Sequence, residues 1–318
     1  MIDIYYFDKK IKKGKLSDLR KLKNKKKWLD ITSLSKEEKK LIQEEFGLHP
    51  LTSEDLFDSG IRIKVEEFPE YLFSVFYGVR KNKTIELNEM DFLLGNNVLI
   101  TNHKGQIESF QTLKNNEKRL LILFKKGLDF LFHRLLDLEI DNFFPVLENI
   151  DDEIEDLEDE VTKKPRPELM SKILKLKRRV ISIKKITLPQ REKISFLAKN
   201  EYRFISKKSI PYFRDVYDHA IRVSDTVDNY REAISGIYNA YMSAISNNMN
   251  DVMKTLSIMA TIALPLGIIS GIFGTNFDNL PGQHMHYGFW IMILLMLAFV
   301  GGMMLFFNSK GWIYWKKR

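Results

Sequence analysis

The chain has 318 residues, 29 % of them charged, with a net charge of +8 and no cysteine. Without cysteine there is no disulfide framework, no thiolate metal site and no cysteine nucleophile. Nor does the positive charge read as a nucleic-acid surface: the Lys/Arg clusters at 9–27, 163–185 and 316–318 lack interleaved aromatics on which bases would stack.

The opening segment MIDIYYFDKKIKK has no apolar stretch of the kind a secretory signal carries, so none is expected. Five segments of the first hundred residues predict strands by β-branched and aromatic content: MIDIYYF, RIKVEEF, LFSVFYGV, MDFLLGN and NVLITNH, with a turn signal at Gly95-Asn96. SKEEKKLIQEEFGL predicts a helix, with Ser35 as N-cap and Glu38 three residues on as its capping-box partner. Residues 106–208 predict helices. The soluble part is therefore α+β, a mixed sheet with helices. Within it, 148–161 places nine acids in fourteen residues, and 172–185 is a basic helix after Pro165 and Pro167. Packed antiparallel, these two would pair opposite charges. Each could equally be a solvated helix face.

Between Pro211 and Pro265 there is no proline and a single glycine, Gly236. Tyr217, Ile221, Val227, Ile234, Ile237, Tyr241, Ile245 and Met249 recur mainly at helical spacing. One stalk helix from Tyr212 to Phe273 would be about 90 Å long at about 1.5 Å per residue. It would run directly into an apolar segment. No Asp, Glu, Lys or Arg occurs from Thr255 to Phe277, nor from Asn279 to Ser309. A span of about 30 Å of hydrocarbon needs roughly 20 apolar residues. Leu256–Phe273 and Tyr287–Phe307 meet that need, so two transmembrane helices in a lipid bilayer are expected. The intervening TNFDNLPGQHMHYG has no basic residue, whereas Lys254 precedes the first span and Lys310, Lys316, Lys317 and Arg318 follow the second. That bias places both termini in the cytosol and the linker outside, in the cell (inner) membrane. Trp290, Trp312 and Trp315 suit the interfaces. The expected divisions are a cytosolic domain at 1–250, spans at 251–274 and 287–308, an outer loop at 275–286 and a basic tail at 309–318.

The first span is more than an anchor. Gly267 and Gly271 are four apart, as are Ser270 and Gly274, and small residues at that spacing let helices approach closely. Pro265 removes a backbone hydrogen bond in mid-span. Asn250, Met253, Leu256, Ala260, Leu264, Gly267 and Gly271 form one stripe, polar at the start and small at the end. The stripe suits ordinary helix packing and, on a self-associating helix, a pore lining. No phosphate loop, GxSxG or HExxH is present, so no enzyme is expected.

The segment NNMNDVMKTLSIMATIALPLGIISGIFGTNFDNLP resembles the CorA-type divalent-cation transporter family. That family ends its first span with Gly-Met-Asn. Here the corresponding residues are Gly274, Thr275 and Asn276, flanked by Phe273 and Phe277. Residues 49–78 and 90–103 also look like the family's soluble domain. The resemblance implies a homopentameric funnel conducting Mg2+, and also Co2+ or Ni2+, down the membrane potential, with no organic cofactor. It implies a selectivity filter at Gly274, Thr275 and Asn276, and a pore lined by Asn250, Met253, Leu256, Leu264 and Gly267. It also implies a regulatory Mg2+ site where Asp215 faces Glu54 and Asp55 of a neighbouring subunit. Asn276 would equally suit a helix C-terminal cap. The pattern departs in two places: Thr275 replaces the usual Met, and Gly282 replaces the usual acid after Pro281. With His284 and His286 in the outer loop, a zinc transporter of the same superfamily, perhaps proton-coupled, is the alternative. A membrane-anchored sensor without conduction is the third reading.

Overall fold

The computed structural model describes every residue except 58, 59, 61, 82–84, 277–279, 283, 284 and 314–318, and the backbone alone at 81 and 85. Among the expected features, Phe277, His284, Trp315 and the basic residues 316–318 lie outside the described residues. The described residues divide into two units, Met1–Tyr238 and Asn239–Arg318.

The first unit is built on one seven-stranded sheet. In chain order its strands are β1 (Ile2–Asp8), β2 (Lys10–Gly14), β3 (Lys27–Ile31), β4 (Lys64–Glu67), β5 (Tyr71–Lys81), β6 (Ile85–Gly95) and β7 (Val98–His103). The spatial order is β2-β1-β3-β7-β6-β5-β4. Every pairing is antiparallel except β3 with β7, so the sheet is mixed as expected. The near-continuous apolar run of β5 follows from burial on both faces, since successive side chains point to opposite sides. Leu72 and Phe76, with Phe92 and Leu94 from β6, enter one core beside Phe110 and Phe132. Phe73 and Val75, with Leu93, enter the other, beside Ile42 and Leu56.

Helices α1 (Lys36–Phe46) and α2 (Pro50–Phe57) cover the second face. The start of α1 is the predicted capping box: Glu38 N donates to Ser35 Oγ at 3.2 Å, and Ser35 N donates to Glu38 Oε2 at 2.8 Å. Its end is Gly47 at φ 58°, a left-handed conformation suited to glycine. On the first face lie α3 (Glu108–Asn115), α4 (Glu117–Lys126) and α5 (Leu128–Asp141), followed by α6 (Phe143–Lys163) and α7 (Pro167–Lys199).

Helices α6 and α7 form an antiparallel hairpin. Ile150, Ile154, Leu157 and Val161 are buried on one side, and Leu169, Ile173, Leu176 and Val180 on the other. The expected pairing of opposite charge occurs at Lys172–Glu160, 2.8 Å, and Arg179–Glu153, 2.6 Å. Such exposed pairs contribute at most about 1 kcal/mol each, so the apolar seam carries the hairpin.

Helix α8 runs unbroken from Ile210 to Phe273, 64 residues, with Pro265 inside it, and crosses the boundary between the units. The stalk and the first span are thus one helix, as the proline-free interval predicts. Helix α9 (Gly288–Ser309) is the second apolar segment. The most apolar 18-residue window of each helix has no buried residue. Within the second unit, Lys254 Nζ reaches the Gly311 carbonyl at 3.5 Å, bringing the near end of the first span beside the far end of the second.

Candidate ion path and cation-sensing site

Helix α8 stops at Phe273 and the backbone turns at Gly274 and Thr275. Gly274 N donates to the Ser270 carbonyl at 2.9 Å, and Thr275 N to the Ile272 carbonyl at 3.2 Å. The Thr275 hydroxyl also donates to Ile272 O, at 2.7 Å. A Cβ at Gly274 would stand 3.0 Å from the Ser270 carbonyl, so this close turn favours glycine. Asn276 follows outside any helix or strand and is exposed. Its amide makes no hydrogen bond among the described residues. Of the two roles the sequence offers Asn276, capping is taken by Thr275, and the amide is left to face solvent.

Asn250, Met253, Leu256, Ala260, Leu264, Gly267 and Gly271 are all exposed in the chain. The exposure of Leu264 is 63 %, and a Cβ at Gly267 or Gly271 would meet nothing within 4 Å. Apolar side chains at this exposure require lipid or another protein surface. In the loop between α8 and α9, Gly282 adopts φ 85° and its carbonyl accepts from Met285 N at 3.1 Å. His286 packs edge-on against Tyr287, their rings 4.9 Å apart.

Glu54 and Asp55 sit on α2. That helix is tied to the sheet by Tyr71 Oη donating to Thr52 Oγ1 at 3.0 Å and by Asn102 Nδ2 donating to the Leu56 carbonyl at 2.7 Å. The same Asn102 amide donates to Asp91 Oδ2 at 2.9 Å. Burial pushes the Asp91 carboxyl well above its ordinary value, helped by the negative charges of Glu89 and Asp55. Glu54 is exposed, whereas Asp55 is half-buried and ion-paired with Lys64. Lys64 also lies 3.4 Å from Glu66. Burial opposes its charge, but Asp55 and Glu66 outweigh it and hold the ammonium above its ordinary value. Asp215 is exposed on α8. Within one chain, Asp215 does not join Glu54 and Asp55 in a three-ligand group.

A different trio does converge. Asp137 and Asp141, one turn apart on α5, meet His219 of α8 with ligand atoms all within 4.8 Å of one another. His219 Nδ1 lies 2.7 Å from Asp141 Oδ1. Burial raises the Asp137 carboxyl, and the neighbouring Asp141 raises it further. Arg134 Nη1 donates to Asp137 Oδ2 at 2.6 Å and competes for the same oxygen as any ion. A His and two carboxylates suit a divalent ion. The sequence reading missed this group. Its one available signal was His219 lying one turn beyond Asp215.

A mixed-sheet domain continues through one helix into two exposed apolar helices long enough to cross a membrane, the layout of a membrane protein. The family described as CorA-like Mg2+ transporter protein matches residues 23–317, and the chain belongs to it. The cobalt/magnesium transport protein CorA of Thermotoga maritima is 35 % identical over 291 residues, 90 % of this chain and 83 % of that protein. The complete structure of the CorA magnesium transporter from Methanocaldococcus jannaschii shares the fold with a TM-score of 0.86 at 24 % identity, covering 98 % of this chain and 99 % of that one. The cytoplasmic domain of ZntB from Vibrio parahaemolyticus, at 13 % identity and a TM-score of 0.63, is alike in fold alone over 77 % of this chain and 98 % of that one.

Proposed function

We propose that the chain assembles as a homopentamer in the inner membrane, termini in the cytosol, and conducts Mg2+ passively through a pore lined by its first span. The observation that carries this reading is the exposed Asn276 amide, freed from capping by Thr275, in a chain that belongs to this family. Five such amides around an axis, shaped by Gly274 and Thr275, would present neutral oxygens to a hydrated ion. Mg2+ dehydrates reluctantly and keeps several waters. Neutral oxygens bind it weakly enough for release, which conduction requires. The driving force is electrical: a divalent ion gains about 4.6 kcal/mol on entering down a potential of about 100 mV, negative inside. Asn250, Met253, Leu256, Leu264 and Gly267 line the path below.

Closure is assigned to cytosolic Mg2+ between subunits, at Asp215 of one and Glu54 and Asp55 of the next. Carboxylates crowded there repel until a cation intervenes. The T. maritima relative bears the name of a cobalt/magnesium transport protein, which supports Mg2+ and Co2+ as cargo. Thr275 in place of Met and His286 in the outer loop favour a second reading, transport of zinc, with proton coupling as its further possibility. Uptake by proteoliposomes containing the purified protein, with Mg2+, Co2+, Ni2+ and Zn2+ tested singly and across a pH step, separates them. Potential-driven Mg2+ uptake insensitive to the pH step supports the first. Zn2+ uptake without Mg2+ uptake overturns it.

A further inference from the structure

We propose that the cavity between the end of β5, the start of α3 and the α5–α6 turn binds a small, multiply charged oxyanion. The cavity measures about 660 Å³ and lies wholly within the first unit. Its base is apolar, from Val79, Leu113 and Leu138, and three arginines line it: Arg80, Arg119 and Arg134.

Two of these arginines have unmet needs. Nη2 of Arg80 and Nε of Arg134 are buried and without a hydrogen-bond partner, and among the described residues no other guanidinium nitrogen is in that state. A charged donor withdrawn from water without an acceptor is costly, and both arginines line one cavity. Arg134 donates Nη1 to Asp137 and leaves Nε unpaired. Gly105, at φ 69°, packs beside the Arg80 guanidinium, where even a Cβ would stand 3.4 Å from Nη1.

The start of α3 adds backbone donors. The residue at its N-cap is Ile107, which offers no side-chain acceptor to the first-turn N–H groups. Glu108 and Ser109 of that turn line the cavity. A helix N-terminus favours an anion through these N–H groups and the helix dipole together. Two acids, Glu108 and Glu139, also line the cavity. Glu139 accepts from Ser109 Oγ and from Asn142 Nδ2, not from an arginine. Burial raises its carboxyl above the ordinary value, against the lowering effect of Ser109, His103, Arg80 and Asn142.

The guanidinium fork matches carboxylate and phosphate oxygens alike. No aromatic ring lines the cavity, so it lacks a surface on which to stack a nucleobase. The ligand class is therefore a compact polyphosphate or polycarboxylate.

The test is calorimetric titration of the full-length, metal-depleted protein in detergent with pyrophosphate, and separately with citrate, at constant ionic strength. Saturable binding of at least one of them, one per subunit, is expected. Arg80→Gln and Arg134→Gln should each weaken it at least tenfold. Binding of pyrophosphate alone identifies a phosphate ligand, and of citrate alone a carboxylate ligand. No saturable binding of either, or unchanged affinity in both variants, overturns the proposal. Should the variants misfold, arginine modification of the wild-type protein by phenylglyoxal decides the matter. The titrated anion should slow labelling of Arg80 and Arg134 severalfold and leave the exposed Arg166 unchanged. Equal labelling with and without anion overturns it.

Discussion

The Thr275 hydroxyl donates to the Ile272 carbonyl at 2.7 Å, so the last turn of α8 is closed by the residue before Asn276 and not by Asn276 itself. If the Asn276 amide serves the ion, Asn276→Ala should abolish Mg2+ uptake, by at least a hundredfold. The helix end should survive the change, because its capping bonds come from Gly274 and Thr275. Uptake into proteoliposomes and the mass of the purified complex check the two halves. Wild-type uptake with wild-type selectivity removes Asn276 from the mechanism.

Thr275→Met restores the family's usual residue and deletes the hydroxyl bond. A neutral hydrogen bond contributes about 1 kcal/mol, so the thermal midpoint should fall slightly while assembly persists. The expected functional effect is on ion preference, read as the ratio of Mg2+, Co2+, Ni2+ and Zn2+ uptake. Thr275→Val, which lacks the hydroxyl but keeps the size, separates the two effects: a change of ratios in Met but not in Val assigns selectivity to bulk at 275.

The Asp55–Lys64 pair makes a prediction of opposite sign to Asp215. A cation at Asp55 must displace the Lys64 ammonium. Lys64→Gln should therefore shift Mg2+ protection of the soluble unit from protease to lower concentration. Asp215→Ala should shift it to higher concentration, with inhibition by internal Mg2+ moving in parallel. Shifts of severalfold are expected in each direction. Wild-type dependence in both variants would place the sensor elsewhere, with Asp137, Asp141 and His219 the first group to change.

A pH effect follows from His133. Its ring is buried against Tyr212 and Phe213, and Nε2 has no partner. Burial, with the neighbouring Arg134 charge, lowers its pKa from 6.5 to about 4. The folded chain thus refuses a proton that the unfolded chain accepts. The associated stability is fully present above 6.5 and is lost as pH falls toward 4. A shift of this size corresponds to about 3 kcal/mol. Comparing chemical denaturation of wild type and His133→Gln at pH 7.5 and pH 4 isolates this contribution, since other titrating groups are common to both. An identical pH slope in the two proteins would mean His133 titrates normally.

Parts of this molecule are legible in its sequence because a local rule is enough to place them. Ser35 and Glu38 specify a helix start within four residues, and the proline-free stretch after Pro211 specifies one helix. Strands β2 and β3 are not legible, because KIKKG and KWLDI lie in a run of lysines that resembles a basic surface. Yet Trp28, Leu29 and Ile31 are wholly buried, held there by neighbours 70 residues on in β7. Helix α2 was missed for a related reason: PLTSEDLF has scant periodicity and is fixed by its contacts with Tyr71 and Asn102. Asp55 enters as a cation ligand only through the family resemblance, and its Lys64 partner depends on strand β4 returning beside α2. His219 and Asp141 are 78 residues apart, and only the packing of α5 on α8 unites them.

The α6–α7 hairpin separates adhesion from charge. Its seam is aliphatic, and its acids stand outward, with two of them bridged across to α7. Neutralising the outward acids should leave the hairpin intact while erasing its local field. That surface is consequently adjustable: carboxylates on α6 can be added or removed without re-engineering the scaffold that displays them.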